Sequence, residues 1–205
     1  MQDKIIEFVE RKLRTDFSGH DLKHSQRVVN NAQKIMKVEG GNEKIILTAC
    51  YLHDTIDHKL FRDQASNIKE IRELLTDDYT QKEINEIIDI ITSISYSNKS
   101  SFNLVNLNAQ IVCDADRLDA VGAFGIIRAI SFGASHKRPF YEDENIKESN
   151  NTYTFNKSTN STLSHFYDKL LKLEDLMYTS YAKELAKERT KVLKTFLNQF
   201  YEELK

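Results

Sequence analysis

The sequence predicts an all-α protein, and three observations favour this class. Apolar residues recur at spacings of three and four along most of the chain, as they do on one face of a helix. Pro139 is the single proline among 205 residues, and only six glycines are present. Proline and glycine are the residues that most often interrupt helices. Typical helix lengths then predict about eight to ten helices.

The N-terminal half predicts a series of helices whose ends carry recognisable residues. The predicted segments are 3–13, a helix that begins near His20 and passes Met36, a helix that ends at Leu52, 63–75, and a helix that buries Ile84, Ile87, Ile88 and Ile91. Gly40 and Gly41 favour a helix end, because glycine adopts the left-handed conformation common there. Asn42 is a good N-cap, and Thr80 with Glu83 has the pattern of a capping box.

The C-terminal half predicts helices on both sides of a long loop. A polar connection at 98–103 precedes two helices within 104–130, and helical spacing returns at 163–173 and again from Tyr181 to Phe200. Between them, 132–160 is polar and shows no period. Such a segment in a compact protein is a lid, a binding loop or disordered. No repeat or linker divides the chain, so a single compact domain is expected over 1–205.

Composition narrows the classes of partner and compartment. Apolar residues are 40% and charged residues 29% of the chain, which is typical of soluble globular proteins rather than disordered ones. The net charge of −2 gives no reason to expect nucleic acid or an anionic membrane as partner. No apolar run reaches the ~20 residues of a membrane span. Cys50 and Cys113 are isolated and predict reduced thiols in a cytoplasmic protein.

Four residues carry chemistry against this helical background: His24, the adjacent pair His53 and Asp54, and Asp116. Neighbours on a regular helix point about 100° apart, so His53 and Asp54 converge only near a helix end or on a point between them. A divalent metal ion is such a point, because borderline ions accept imidazole and carboxylate together. Two carboxylates would neutralise the ion's charge. A six-coordinate ion would keep two positions for water and substrate.

Three motifs in this order resemble the HD-domain metal-dependent phosphohydrolase superfamily, and within it a bacterial subfamily of stand-alone hydrolases. The motifs are Gly19-His20-Asp21-Leu22-Lys23-His24-Ser25-Gln26-Arg27-Val28, Leu52-His53-Asp54-Thr55-Ile56-Asp57-His58-Lys59 and Asp114-Ala115-Asp116-Arg117-Leu118-Asp119-Ala120-Val121-Gly122-Ala123. The segments 166–171 and 196–203 are also similar, so the resemblance omits only 132–160. It implies an HD-domain helical fold with its core at about 18–125, and with the helices of 160–205 packing on that core.

The resemblance implies that His24, His53, Asp54 and Asp116 bind one divalent ion, Mn²⁺, Mg²⁺ or a similar metal. Asp116 is preferred over Asp114 because Asp116-Arg117-Leu118 matches the family's aspartate, basic and apolar positions. The alternative is that Asp116 caps a helix and Asp114 is the ligand.

Two further residues follow from the same motifs. Asp57 is similar to a carboxylate that handles a proton in related enzymes, and is therefore the expected catalytic acid or base; a supporting or solvated role is the alternative. His20 either lines the substrate pocket or hydrogen-bonds a neighbour in a structural role. His58 is expected to be exposed.

A phosphorylated substrate requires cations. The candidates for substrate binding are Lys23, Arg27, Arg117 and Lys169, with Arg128, Lys137 and Arg138 as further options. Arg27 lies one helical turn from His24 and offers a planar fork that matches phosphate, so it is the preferred clamp and a catalytic candidate. Arg117 could instead pair with Asp114 or Asp57. The tripeptide 136–138 is either a phosphate-binding lid or a surface charge cluster.

The expected reaction is hydrolysis of a phosphate ester or anhydride without a covalent enzyme intermediate. The resemblance implies a nucleotide or another small phosphorylated metabolite as substrate, with nucleoside triphosphate pyrophosphohydrolysis as a leading option. A homodimer is one option for the assembly. The alternatives are a non-catalytic module that senses a nucleotide, and an HD lyase or oxygenase that uses iron.

Overall fold

A computed structural model describes residues 2–14, 20–56, 63–94, 105–142, 146–149, 152–155 and 160–205. Within these ranges lie nine α-helices and one two-stranded antiparallel hairpin. The predicted all-α class is confirmed, and the helix count falls within the predicted range. The hairpin is a small addition to a helical architecture.

Contacts between Cα atoms divide the chain into two compact units. The first contains the described residues up to Asp116, and the second contains those from Arg117 onward. The single domain expected over 1–205 therefore stays a prediction.

The first unit is a helical bundle centred on its third helix. Its elements are α1 (Gln2–Leu13), α2 (Leu22–Glu39), α3 (Glu43–Leu52), a 3₁₀ turn (His53–Ile56), α4 (Gln64–Leu75), α5 (Gln81–Ser93) and α6 (Leu107–Asp119), whose last residues belong to the second unit. α3 packs against α1, α2 and α5, and most of its side chains are buried. The central position of α3 fixes the 3₁₀ turn that follows it deep within the bundle.

The ends of these helices form at the predicted residues. Gly40 follows α2 with φ of 79°, and its N–H donates to the carbonyl of Met36. The Asn42 side chain accepts from the N–H of Ile45 and begins α3. Thr80 and Glu83 form the predicted capping box at the start of α5. Local sequence therefore determines where three of the helices in this unit begin or end.

The second unit is built on two helices that approach closely. Its elements are α7 (Gly122–Ser135), β1 (Ile146–Ser149), β2 (Thr152–Phe155), α8 (Ser164–Asp168), two 3₁₀ turns (Leu170–Lys172 and Glu174–Leu176) and α9 (Ser180–Glu203). α7 packs on α9. A Cβ atom at Gly133 would lie 2.0 Å from the Thr162 hydroxyl oxygen, so only glycine fits at this point of α7.

Two predictions for this half of the chain need correction. The segment 132–160 is not without regular structure: α7 continues to Ser135, and β1 pairs with β2 so that Ile146 lies opposite Phe155. The segment 163–173 is not one helix, because α8 ends at Asp168 and a 3₁₀ turn follows. The polar connection predicted at 98–103 lies outside the described residues.

Among the described helices, none is by itself both long and apolar enough to cross a membrane. By length and composition alone, α6 and α7 taken together as a bent pair would meet that test.

Candidate metal centre

His24 is placed by the start of α2. The carboxylate of Asp21 accepts from the backbone N–H of His24 at 2.8 Å. Asp21 is thus the N-cap of α2, and His24 lies in the first turn of that helix. His24 has no exposed surface. Its ring points into the bundle because the apolar face of α2, with Val28 and Ala32, is buried on the same side.

His53 and Asp54 lie where α3 changes into the 3₁₀ turn. The backbone carbonyl of Cys50, one turn earlier, lies 2.8 Å from His53 Nδ1. A carbonyl can only accept, so in the neutral imidazole this contact places the proton on Nδ1 and the lone pair on Nε2. The Thr55 hydroxyl donates to the carbonyl of Leu52 at 2.6 Å and closes the turn. The turn thus presents one imidazole nitrogen and one carboxylate to the same point.

Asp116 reaches this point from α6. The side-chain amide of Asn31, on α2, donates to the carbonyl of Ala115 at 3.0 Å, so α2 holds α6 at the residue before Asp116. The Asp116 side chain is 34% exposed, whereas the Asp54 side chain is 7% exposed. Three of the four ligand side chains are therefore buried, and Asp116 is partly exposed.

The four predicted ligands form one compact cluster. The Nε2 atoms of His24 and His53 lie 3.2 Å apart. Asp116 Oδ1 lies 3.4 Å from the first and 3.7 Å from the second, while Asp54 approaches His24 with Oδ2 and His53 with Oδ1, each at 3.3 Å. Ligand atoms about 2.1 Å from one ion and at right angles are about 3.0 Å apart, and at the tetrahedral angle about 3.4 Å apart. The donor set and its spacing therefore fit a divalent metal ion.

His20 is also within metal-binding distance: His20, His24 and Asp54 form one group of ligand atoms close enough to hold an ion, and His24, His53 and Asp116 form another. His20 Nδ1 is 3.0 Å from Asp54 Oδ2, and its ring meets that of His24 edge to face at 5.8 Å. Its side chain is 24% exposed. A histidine that donates to a ligating carboxylate orients that carboxylate, which gives His20 a structural contact with the site as well as a position at its rim.

The electrostatics of the cluster favour a cation at its centre. Burial lowers the pKa of His53, but Asp54 and Asp116 outweigh it and raise that pKa to about 9. Burial would raise the pKa of both carboxyl groups, yet the neighbouring histidines hold the pKa of Asp54 and that of Asp116 well below their usual range. Protons on imidazole and a bound metal ion are alternative ways of neutralising the same two carboxylates.

Asp116 belongs to one of the two groups of described residues whose atoms are close enough to hold an ion, and Asp114 belongs to neither. Asp114 lies two residues earlier on α6 and is fully buried. The geometry therefore favours Asp116 among the two alternatives. Asp57 and His58 lie outside the described residues, so the proton-handling role of Asp57 stays a prediction.

The predicted phosphate-binding cations lie in different places. Arg27 is half-buried on α2 and Lys23 is exposed on the same helix. The Arg117 guanidinium donates to the carbonyl of Leu176 and lies 5.2 Å from the centre of the Tyr178 ring. Lys169 is half-buried next to α8. Arg27 and Lys23 share the helix of His24, and the roles of all four residues stay predictions.

The remaining cation candidates make contacts within the second unit. Arg128 pairs with Asp119 at 3.1 Å. In the tripeptide 136–138, the His136 ring stacks on Phe132 with centroids 3.9 Å apart, and Arg138 lies 5.3 Å from the centre of the same ring. The side chains of Phe132, His136 and Arg138 thus pack together at the C-terminal end of α7.

Sequence reasoning missed the amides that support the centre. Asn31 lies two turns after His24, on the same face of α2, and that spacing is a signal for a buried polar contact. Asn67 is buried on α4 and donates to the carbonyl of Thr55 in the 3₁₀ turn at 2.8 Å. No local pattern announces this second contact, because it joins residues from separate helices.

The comparisons with known proteins agree on one family. Residues 21–121 match the model of the HD domain. The Bacillus subtilis protein YpgQ is 33% identical over 98% of this chain and 93% of its own length. Its crystal structure in complex with ADP superposes with a TM-score of 0.79 at 31% identity, covering 99% of this chain and 97% of that one.

A second solved structure agrees. An HD-superfamily hydrolase from Bacillus thuringiensis is 34% identical, with a TM-score of 0.75 over 98% of this chain and 95% of that one. The matched model, the ordered motifs and the clustered donors all point the same way. The chain belongs to the HD domain family of metal-dependent hydrolases.

Proposed function

We propose that this chain hydrolyses a phosphate ester or phosphoanhydride of a nucleotide, and that a nucleoside triphosphate cleaved to monophosphate and pyrophosphate is the leading substrate. The observation that carries the proposal is the cluster of two imidazole nitrogens and two carboxylates within 3.2 to 3.7 Å, with Asp116 partly exposed. Such a set holds an ion and leaves room for a substrate oxygen.

The proposed ligands are His24, His53, Asp54 and Asp116, and the proposed ion is Mn²⁺. The two carboxylates suit Mn²⁺ or Mg²⁺, and the two imidazoles count against Mg²⁺, which prefers oxygen ligands and retains its waters. Manganese accepts both nitrogen and carboxylate ligands. When bound, the ion supplies Lewis acidity toward a phosphoryl oxygen and a reactive water near neutral pH.

The chain's own residues have separate tasks in this proposal. His20 and the Cys50 carbonyl orient two of the ligands, through the contacts at 3.0 and 2.8 Å. Arg27 lies one turn from His24 on α2, and its fork stabilises charge that builds on the phosphoryl oxygens. Lys23, Arg117 and Lys169 are proposed as weaker contacts to the phosphate chain. Asp57 is proposed to transfer the proton.

A nucleotide is supported by the relative rather than by the cluster. YpgQ was crystallised with ADP, and it aligns with this chain over nearly the whole length of both. A diphosphate also matches the expectation of a phosphoanhydride substrate. After nucleoside triphosphates and diphosphates, we propose nucleoside monophosphates and other small phosphorylated metabolites as substrates. The absence of nucleic-acid partners, the homodimer and the cytoplasmic location stay predictions from the sequence.

The test is a hydrolysis panel of nucleoside mono-, di- and triphosphates with Mn²⁺ and with Mg²⁺. We expect nucleoside monophosphate and pyrophosphate in equal amounts from a triphosphate, separated by ion-exchange chromatography. Asp54→Asn preserves the shape of the side chain and removes its charge, so this variant is expected to be inactive. Equal rates for the wild type and Asp54→Asn would refute the proposed reaction.

The same panel distinguishes the alternatives. A nucleotide-sensing module would bind nucleotide in a calorimeter and release no product. Release of inorganic phosphate in place of pyrophosphate would identify a phosphatase. Activity that requires anaerobic loading with iron would favour a lyase or oxygenase.

A further inference from the structure

Two carbonyl groups of the 3₁₀ turn that carries His53 and Asp54 accept hydrogen bonds from α4. A buried carbonyl group requires a hydrogen-bond donor. Both donors here are amide side chains of α4: Asn67 Nδ2 donates to the carbonyl of Thr55 at 2.8 Å, and Gln64 Nε2 to that of Ile56 at 2.8 Å. α4 therefore holds the turn just after the ligand pair.

The Asn67 amide is itself anchored on its other side. Lys12, at the end of α1, donates to Asn67 Oδ1 at 2.8 Å and to the Glu70 carboxylate at 2.8 Å. The Lys12 side chain is only 17% exposed, and Asn67 is 5% exposed. With both ends of its amide bonded, Asn67 has one orientation, in which its NH₂ group faces Thr55. A buried polar link of this kind runs from α1 through α4 to the turn.

We propose that Asn67 is a positioning residue of the metal centre, oriented by Lys12, and that its bond to Thr55 sets the place of the neighbouring Asp54 carboxylate. The backbone of Thr55 follows Asp54 directly, so a shift of this carbonyl moves the carboxylate with it. Ligand sets lose affinity when their supporting contacts are removed, typically by about 10–100-fold. The inference rests on the proposed metal site and adds a residue outside the family's metal-binding motifs.

The decisive variant is Asn67→Asp. Aspartate has the shape of asparagine and keeps an oxygen for Lys12, but it replaces the donor with an oxygen that repels the Thr55 carbonyl. We expect the dissociation constant for Mn²⁺, measured by calorimetry with MnCl₂, to rise about 10–100-fold. We also expect nucleotide hydrolysis lost at limiting Mn²⁺ to return at saturating Mn²⁺. A dissociation constant within about twofold of the wild-type value would overturn the inference.

A control separates positioning from general destabilisation. Tyr79→Phe removes another buried hydrogen bond of the same unit, the 2.5 Å contact with the Thr48 hydroxyl. This variant is expected to melt earlier than the wild type and to keep its Mn²⁺ affinity. Equal loss of affinity in Tyr79→Phe and Asn67→Asp would reduce the effect to lost stability and reject the positioning role.

Two further measurements complete the design. If Asn67→Asp does not fold, Lys12→Met is the test variant, because it frees the Asn67 amide without removing its donor group. Several-fold weaker binding of Mn²⁺ by Lys12→Met would support the inference, and an unchanged affinity would reject it. Asp54→Asn tests the site itself. If the wild type binds Mn²⁺ no better than Asp54→Asn, the proposed metal site fails, which is a different pattern from failure of Asn67 alone.

Discussion

Binding of Mn²⁺ at the cluster should become tighter as the pH rises toward 9, because the ion displaces a proton from His53. In the metal-free protein, burial lowers the pKa of His53, but the carboxylates of Asp54 and Asp116 raise it to about 9. The imidazole must lose that proton before Nε2 can bind an ion. The apparent affinity then rises tenfold, about 1.4 kcal/mol, for each pH unit below that pKa. Between pH 6.5 and 8.5 the expected gain is about 100-fold.

The metal-free protein should show the opposite trend in stability. The pKa of His53 is about 6.5 in the unfolded chain and about 9 in the folded protein, so protonation of His53 stabilises the fold. This stabilisation is complete below about pH 6.5 and disappears as the pH rises through 9. The loss is on the order of 3 kcal/mol across that window. Protein loaded with Mn²⁺ has no such proton to lose. The difference in melting temperature between loaded and chelated protein is therefore expected to grow with pH.

Calorimetric titration with MnCl₂ in two buffers of different ionisation enthalpy measures the protons released. We expect about one proton per ion at pH 7.5. His53→Gln, which has no such proton, should lose the dependence along with most of the affinity. His136→Gln replaces an exposed histidine and should retain the dependence. An affinity for Mn²⁺ that stays constant from pH 6.5 to 8.5 would refute the reasoning.

Three substitutions test other parts of the structure. Asp116→Asn removes one ligand charge, so Mn²⁺ affinity should fall by at least the 10–100-fold typical of supporting residues; undiminished binding in a calorimetric titration would exclude Asp116 as a ligand. Asn31→Leu removes the donor to the Ala115 carbonyl, and the free energy of unfolding in urea should fall by about 1–2 kcal/mol; an unchanged unfolding curve would contradict this contact. Thr80→Ala removes the cap of α5 and its partnership with Glu83, which should cost about 1 kcal/mol of stability and leave hydrolysis unchanged; a lost activity would show that α5 matters to the site.

The sequence predicted the features that depend on neighbours along the chain. Asn42 begins α3 and Gly40 follows α2 as expected, because an N-cap side chain bonds an amide three residues on and glycine takes a positive φ. The approach of His24, His53, Asp54 and Asp116 to one another was likewise expected from the ordered motifs, whereas the place of His20 next to His24 and Asp54 was left open. A ligand set leaves a clear trace in sequence because only a few residue types can bind metal.

The features that escaped prediction depend on contacts between distant residues. Asn67 looks like an ordinary polar residue on a helix, and the spacing of Asn31 from His24 indicates burial but not a partner. Only the folded bundle shows that each donates to a carbonyl beside a ligand. The hairpin within 132–160 was missed for another reason. Its strands are four residues long, too short for an alternating pattern to stand out, and Thr152–Phe155 is the stretch in which β-prone residues offered a hint.

The cap at the start of α2 gives the centre a natural reporter. The backbone amide that Asp21 accepts from is that of His24 itself, so the hydrogen of this amide can exchange with solvent only when the first turn of the helix opens. Opening that turn also withdraws the imidazole from the cluster. An ion held by His24 would therefore slow deuterium uptake at this amide by the factor by which it stabilises the closed turn. Exchange at a single backbone position would then titrate the occupancy of the site with no substrate present.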